Sequence, residues 1–212
     1  MASSFFEKHF VRLYLVCAVV FIASTLVKPY AFSWLVKLLP MAILIIYTFI
    51  KRDGRNDRLF LIGLLFSACG DFFLDYDRTN WFIFGLASFF IAHVFYLLTL
   101  WPLCKEKSRF VLFYIVYGVG IFSLIAGGLG ELFVPVLFYM LVLLLMGLAT
   151  LLSTKSNPWL IAGGILFIFS DSLIGIDKFY LPIAHASVWI MFTYYAAQFS
   201  LVKGLICARN KG

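Results

Sequence analysis

Residues 59–76 read LFLIGLLFSACGDFFLDY, and residues 158–176 read PWLIAGGILFIFSDSLIGI. Each run is long enough to cross a bilayer as a helix, which takes roughly 20 apolar residues for about 30 Å of hydrocarbon. Each also carries a carboxylate well inside its apolar stretch, Asp71 in the first and Asp171 in the second. An ionisable group at that depth costs about 2.5–3.5 kcal/mol on insertion scales and marks a functional site by default. Two such groups, each late in its own segment, point to a paired site.

The same reading extends along the chain. Of 212 residues, 64% are hydrophobic and 13% charged, with a mean hydropathy of +1.02. That balance excludes a water-soluble domain of this size. Strict polar/apolar alternation is absent, which excludes an outer-membrane barrel. The expected fold is all-α: a polytopic membrane bundle of about eight transmembrane helices forming one domain over residues 1–212. The spans fall near 10–27, 32–50, 59–76, 81–101, 109–128, 132–153, 158–176 and 186–207. The connections KRDGRNDR, PLCKEKS and STKSN are short. None holds a soluble domain, so any chemistry takes place in or at the bilayer. The first span is a poor signal peptide, because Arg12 interrupts its start and no A-x-A site follows.

The net charge of +7 does not call for nucleic acid, because the basic residues are sorted by membrane side. Thirteen lie at the termini and even-numbered connections, against Lys28, Arg78 and Lys178 on the opposite face. The positive-inside rule then puts both termini in the cytoplasm, as in a bacterial inner membrane or a eukaryotic endomembrane. Cys17, Cys69, Cys104 and Cys207 are scattered, as are His9, His93 and His185. Neither set has metal-ligand spacing, so no metal and no cofactor is expected.

The third and seventh spans align at an offset of 100. Gly63, Asp71, Asp77 and Arg78 fall on Gly163, Asp171, Asp177 and Lys178. Two parallel four-helix repeats, 1–105 and 106–212, are the expectation. Asp71 lies 13 residues beyond Arg58 and Asp171 lies 13 beyond Pro158. At 1.5 Å per residue that is about 20 Å along each helix, in the half away from the cytoplasm.

Other polar residues interrupt the spans. Lys37 lies in FSWLVKLLP, where it either snorkels to the interface or partners a carboxylate or a lipid phosphate. Pro40 loosens the helix there and frees a backbone carbonyl. His93 and Tyr96 share a helical face, and Tyr194, Tyr195 and Gln198 cluster on the last span. Polar groups facing lipid would go unsatisfied, so all should turn inward. Gly63, Gly163, Gly164 and Ala68 permit close helix packing. Asp75, Asp77 and Asp177 sit at the outer interface, where water solvates them. Two carboxylates in one partly dry cavity cannot ionise equally, which leaves one acid and one base near neutrality. That equips the site for acid-assisted hydrolysis without a covalent nucleophile.

The set KLLP (37–40), FSACGDFFL (66–74), AHVFY (92–96), FSDSLIGIDKF (169–179) and TYYAAQ (193–198) resembles the YhhN family of membrane proteins, which includes lysoplasmalogenases. The likeness runs from about residue 30 to 205 in the same order. One departure is Asp177 before Lys178, where animal relatives tend to carry Asn. The resemblance implies hydrolysis of the vinyl-ether bond of a lysophospholipid to a fatty aldehyde and glycerophosphoethanolamine or glycerophosphocholine. It implies Asp71 and Asp171 as the acid/base pair. Lys37, His93, Tyr96, Tyr194, Tyr195, Gln198 and Lys178 would hold substrate. The alternative is a small-solute or lipid transporter with a central polar cavity, although no clearly broken helix pair supports it. An intramembrane aspartyl protease fits poorly, because Ala68 stands where that chemistry has Gly and no P-A-L motif follows.

Overall fold

The computed structural model describes residues 2–101, 110–154 and 156–209, with side chains from His9 to Ala208. The connection carrying Cys104, Lys105, Lys107 and Arg109 lies outside the described residues, as do Lys155 and Lys211 and the side chains of Lys8 and Arg209. Eight helices make up the described fold: α1 (Ala2–Ser24), α2 (Ser33–Lys51), α3 (Arg55–Tyr76), α4 (Phe82–Leu100), α5 (Val111–Ile125), α6 (Phe133–Leu152), α7 (Pro158–Phe179) and α8 (Ala186–Arg209). All eight are long and apolar enough to cross a membrane, counting the short 3-10 turns that extend α1, α5 and α6. The protein is a multi-pass integral membrane protein.

Several helices outrun the apolar spans that mark them. α1 begins before residue 10, α3 takes in Arg55–Arg58, and α7 runs on to Phe179. Hydropathy marks only the hydrocarbon layer, whereas a helix keeps its hydrogen bonds through the polar interface. Local chemistry fixes these ends. Asn157 caps α7, its side-chain oxygen accepting from Trp159 N at 3.1 Å and Leu160 N at 3.2 Å, with Pro158 in the first turn. Asp57 in the first turn of α3 accepts the Asp53 amide at 2.7 Å.

The helices close into a ring. α1 packs on α2, α2 on α3, α3 on α4, α4 on α6, α6 on α7, α7 on α8, and α8 on α1 and α2. α5 lies outside, against α6 and α7. The tightest pairs, α3–α4 and α7–α8, depend on glycine. A Cβ at Gly63 would stand 2.5 Å from the Tyr96 ring, and one at Gly70 2.6 Å from Phe89. A Cβ at Gly163 would meet the Leu201 amide at 2.9 Å. The outward faces stay apolar: Leu13, Val16, Val19 and Val20 of α1 are exposed, as lipid-facing positions must be. Trp34, Phe72, Tyr76 and Trp81 pack together where α2 begins, α3 ends and α4 begins, as interfacial aromatics do.

Candidate active site

A line of buried hydrogen bonds converges on Asp71. Tyr96 donates to Gln198 Oε1 at 3.0 Å, Gln198 Nε2 to the Tyr194 hydroxyl at 3.3 Å, and Tyr194 to Asp71 Oδ2 at 2.7 Å. Because Tyr96 spends its proton on Gln198, the Ser67 hydroxyl 3.0 Å away donates to Tyr96. The other carboxyl oxygen, Oδ1, faces Lys37 Nζ at 3.3 Å. Both Asp71 oxygens thus act as acceptors, the arrangement an ionised carboxylate requires. Chains of aligned hydrogen bonds polarise one another, so the relay strengthens as it nears the charge.

The backbone supplies the frame. Pro40 has no N–H, so the carbonyl four residues back loses its helical donor. One residue further on, the Lys37 carbonyl accepts the Tyr195 hydroxyl at 2.8 Å. Tyr14 of α1 ties down the other side of that junction by donating to the Tyr195 carbonyl at 2.7 Å. Gly63 makes room for the Tyr96 ring. Lys37 does not snorkel: its side chain is buried against the carboxylate.

Asp171 sits in different surroundings. Its Oδ2 accepts the Tyr139 hydroxyl, and no ion pair to it occurs among the described residues. It lines a cavity walled mainly by apolar side chains of α3–α7, Phe82, Phe89, Ile121 and Leu143 among them. Ser172, which takes a hydrogen bond from Tyr117 at 2.9 Å, lies on the same wall.

The two carboxyl groups do not line one cavity: Asp171 faces the apolar one, and Asp71 lines neither that cavity nor the cleft in which Lys37 takes part. Rings separate them. Phe89 lines the Asp171 cavity and meets Tyr194 edge-on with centroids 5.8 Å apart. Phe167 contacts Tyr194 at 5.6 Å and His93 at 4.6 Å, and His93 contacts Tyr139 at 5.5 Å. His93 is fully buried, and neither ring nitrogen makes a hydrogen bond of normal geometry, although the Phe89 carbonyl one turn back is close enough to influence it.

A second cleft opens beside Lys37. Asp75 belongs to it and is not the solvated surface group its position suggested. Its side chain is 5% exposed, paired with Lys28 and hydrogen-bonded by Ser33. Burial holds the Lys28 ammonium below the usual lysine range, against the opposing pull of Asp75. Lys178 stays at the rim, 4.4 Å over the Phe82 ring, and Arg78 pairs with Asp177 at 3.2 Å. Among the described residues no group of three His, Cys, Asp or Glu is placed to hold a metal.

Residues 32–205 match the YhhN family. The chain belongs to the YhhN family. Among the curated members it resembles, a lysoplasmalogenase of Mycobacterium bovis is 31% identical over 166 residues, 74% of this chain and 64% of the relative. Lysoplasmalogenase TMEM86B of Mus musculus is 32% identical over 187 residues, covering 87% of this chain and 79% of the mouse protein. Lysoplasmalogenase TMEM86A of Homo sapiens is 28% identical over 203 residues, 86% and 82% of the two chains. The match thus spans just under two thirds of the mycobacterial relative's length. No solved structure matches the chain.

Proposed function

We propose that this YhhN protein is a lysoplasmalogenase, a hydrolase of the vinyl-ether bond of 1-alkenyl-glycerophosphoethanolamine or -choline. The observation that carries the reading is Asp171: a carboxyl group with no cation beside it, set in the wall of an apolar cavity. The relatives' shared name supports it.

A vinyl ether resists nucleophiles but accepts a proton at carbon. Asp171 is the acid. Its proton goes to the alkenyl carbon beta to oxygen, and the C=C electron pair forms the new C–H bond, leaving an oxocarbenium ion. The Asp171 carboxylate, held by Tyr139, faces that cation and then takes a proton from the water that adds to it. The resulting hemiacetal collapses to fatty aldehyde and the glycerol hydroxyl of the head group. Asp71 stays ionised beside Lys37 and contributes a fixed negative charge within reach of the oxocarbenium ion. Tyr194, Gln198, Tyr96 and Tyr195 fix Asp71 and Lys37 in place. His93, its nitrogens unspent, is the polar group between the two carboxyls best suited to orient the water. The mechanism asks for no cofactor.

Both termini lie in the cytoplasm on this reading, which the distribution of Lys and Arg supports, and a bacterial inner membrane is the natural setting. We also read residues 1–105 and 106–212 as parallel repeats within one membrane domain, a reading the corresponding α3–α4 and α7–α8 pairs support. Purified protein in detergent, given an alkenyl lysophospholipid, should release aldehyde without any gradient. A transporter would release none.

A further inference from the structure

The three basic residues that stand apart from the cytoplasmic set converge on one place. Lys28 leaves the end of α1, Arg78 follows α3, and Lys178 ends α7, yet Lys28 and Arg78 line the cleft beside Lys37 and Lys178 covers the Phe82 ring in its wall. Lys37 forms the cleft's inner wall. Charge sorting alone would leave these cations dispersed over the outer face. Two of them are also committed: Lys28 to Asp75, Arg78 to Asp177. A ligand of a single sign would strand one member of each pair without a partner, which is costly when the group is buried as deeply as Asp75. A ligand carrying both signs can exchange into the buried Lys28–Asp75 pair and leave neither member stranded.

The position is equally specific. Leu74, Phe82 and Ile174 line both this cleft and the Asp171 cavity. The polar space and the apolar space are therefore neighbours across one thin wall, as a polar head and its hydrocarbon tail would need.

We propose that the cleft of Lys28, Arg78 and Asp75 is the subsite for a zwitterionic phosphoester head group, with Lys28 and Arg78 on the phosphate and Asp75 on the ammonium. The assignment of that head group to a lysophospholipid rests on the lysoplasmalogenase reading. The cleft places the phosphate at the outer end of the bundle and leaves the chain to run past Leu74 and Phe82 toward Asp171. Selectivity for head group then resides in residues separate from the acid.

The test is calorimetric binding to the purified full-length protein in detergent, using ether lipids that cannot be hydrolysed. Wild type should bind 1-O-alkyl-glycerophosphoethanolamine about tenfold or more tightly than 1-O-alkylglycerol or 1-O-alkyl-glycerophosphate, the size of one charge-assisted contact. Inorganic phosphate and phosphoethanolamine should compete only weakly. Lys28→Gln and Arg78→Gln should each remove most of the preference over 1-O-alkylglycerol, and Lys28→Arg should keep it. With alkenyl substrate the Gln variants should raise KM with little change in kcat. Equal binding of all three lipids overturns the proposal, as does an undiminished preference in both Gln variants. Inorganic phosphate binding as tightly as the lipid would also overturn it, in favour of a free-anion site. Because binding is read without turnover, selective binding by a protein that releases no aldehyde defeats the enzyme reading alone. Aldehyde release without head-group preference defeats the subsite alone.

Discussion

Lys37 Nζ stands 3.3 Å from Asp71 Oδ1, with both side chains sealed inside the bundle. The lysine comes from α2 and the aspartate from α3, and the tyrosine that bonds the other carboxyl oxygen comes from α8. One ion pair thus ties three helices at the level of the site. Breaking a buried pair by removing one partner costs about 3–5 kcal/mol, because the other charge is left uncompensated. Lys37→Met should therefore lower the melting temperature sharply, and Asp71→Asn in the same chain should recover part of the loss. A Lys37→Met protein as stable as wild type would mean the pair anchors nothing.

Asp171 makes a different contribution. Asp171→Asn keeps the shape and the Tyr139 contact but has no proton to give. Loss of a general acid costs about 10²–10⁴ in rate. The variant should melt near wild type, bind the non-hydrolysable ether lipid normally, and release aldehyde slower by that factor. Wild-type turnover in the folded variant would remove Asp171 from the chemistry.

Gly63 offers a test of positioning at a distance from either reacting group. An added methyl would overlap the Tyr96 ring, with its Cβ at 2.5 Å, and press on the Ala92 carbonyl at 3.1 Å. Overpacking of this kind costs about 1–3 kcal/mol. Gly63→Ala should lose stability and also disturb the Tyr96–Gln198–Tyr194 line, so kcat should fall with stability. An unchanged kcat would show that the line does not set the position of Asp71.

Lys28 predicts a pH effect with a definite sign. Its ammonium faces Asp75 of α3, with Lys37 of α2 and Arg78 lining the same cleft and the Phe21 ring 4.9 Å away. Its folded pKa is lowered by burial, so its charge is complete at low pH and is lost on raising the pH sooner than an ordinary lysine's would be. KM for the phospholipid should rise on the alkaline side, and Lys28→Arg should push that rise to higher pH. A flat KM in wild type contradicts the role given to Lys28.

The bundle was legible because hydropathy reports burial in lipid directly. Asp71 and its partners Lys37, Tyr96, Tyr194 and Gln198 were legible for the same reason, since a polar side chain in an apolar helix has to find company inside. What escaped were groups whose ordinary role looked sufficient. Tyr139 sits alone in a run of leucines, where a tyrosine most often just packs, and only its meeting with Asp171 across α6 and α7 distinguishes it. Ser67, four residues before Asp71, carries no signal of its own in the sequence, yet it bonds Tyr96 of α4. Lys28 and Asp75 lie at span ends, where charges normally meet water, and 47 residues separate them in sequence. Pairing between ends of different helices depends on how the ring closes, which no local pattern encodes.

Vinyl-ether cleavage by this protein begins with a proton delivered to carbon by Asp171. Turnover of an alkenyl lysophospholipid in deuterium oxide, with the aldehyde reduced at once and weighed by mass spectrometry, reads that step directly. The wild-type product should carry one deuterium on the carbon next to the former carbonyl, and Asp171→Asn should form almost no product, if Asp171 is the proton donor. Aldehyde free of deuterium, or the same labelled product formed at wild-type rate by Asp171→Asn, would contradict it.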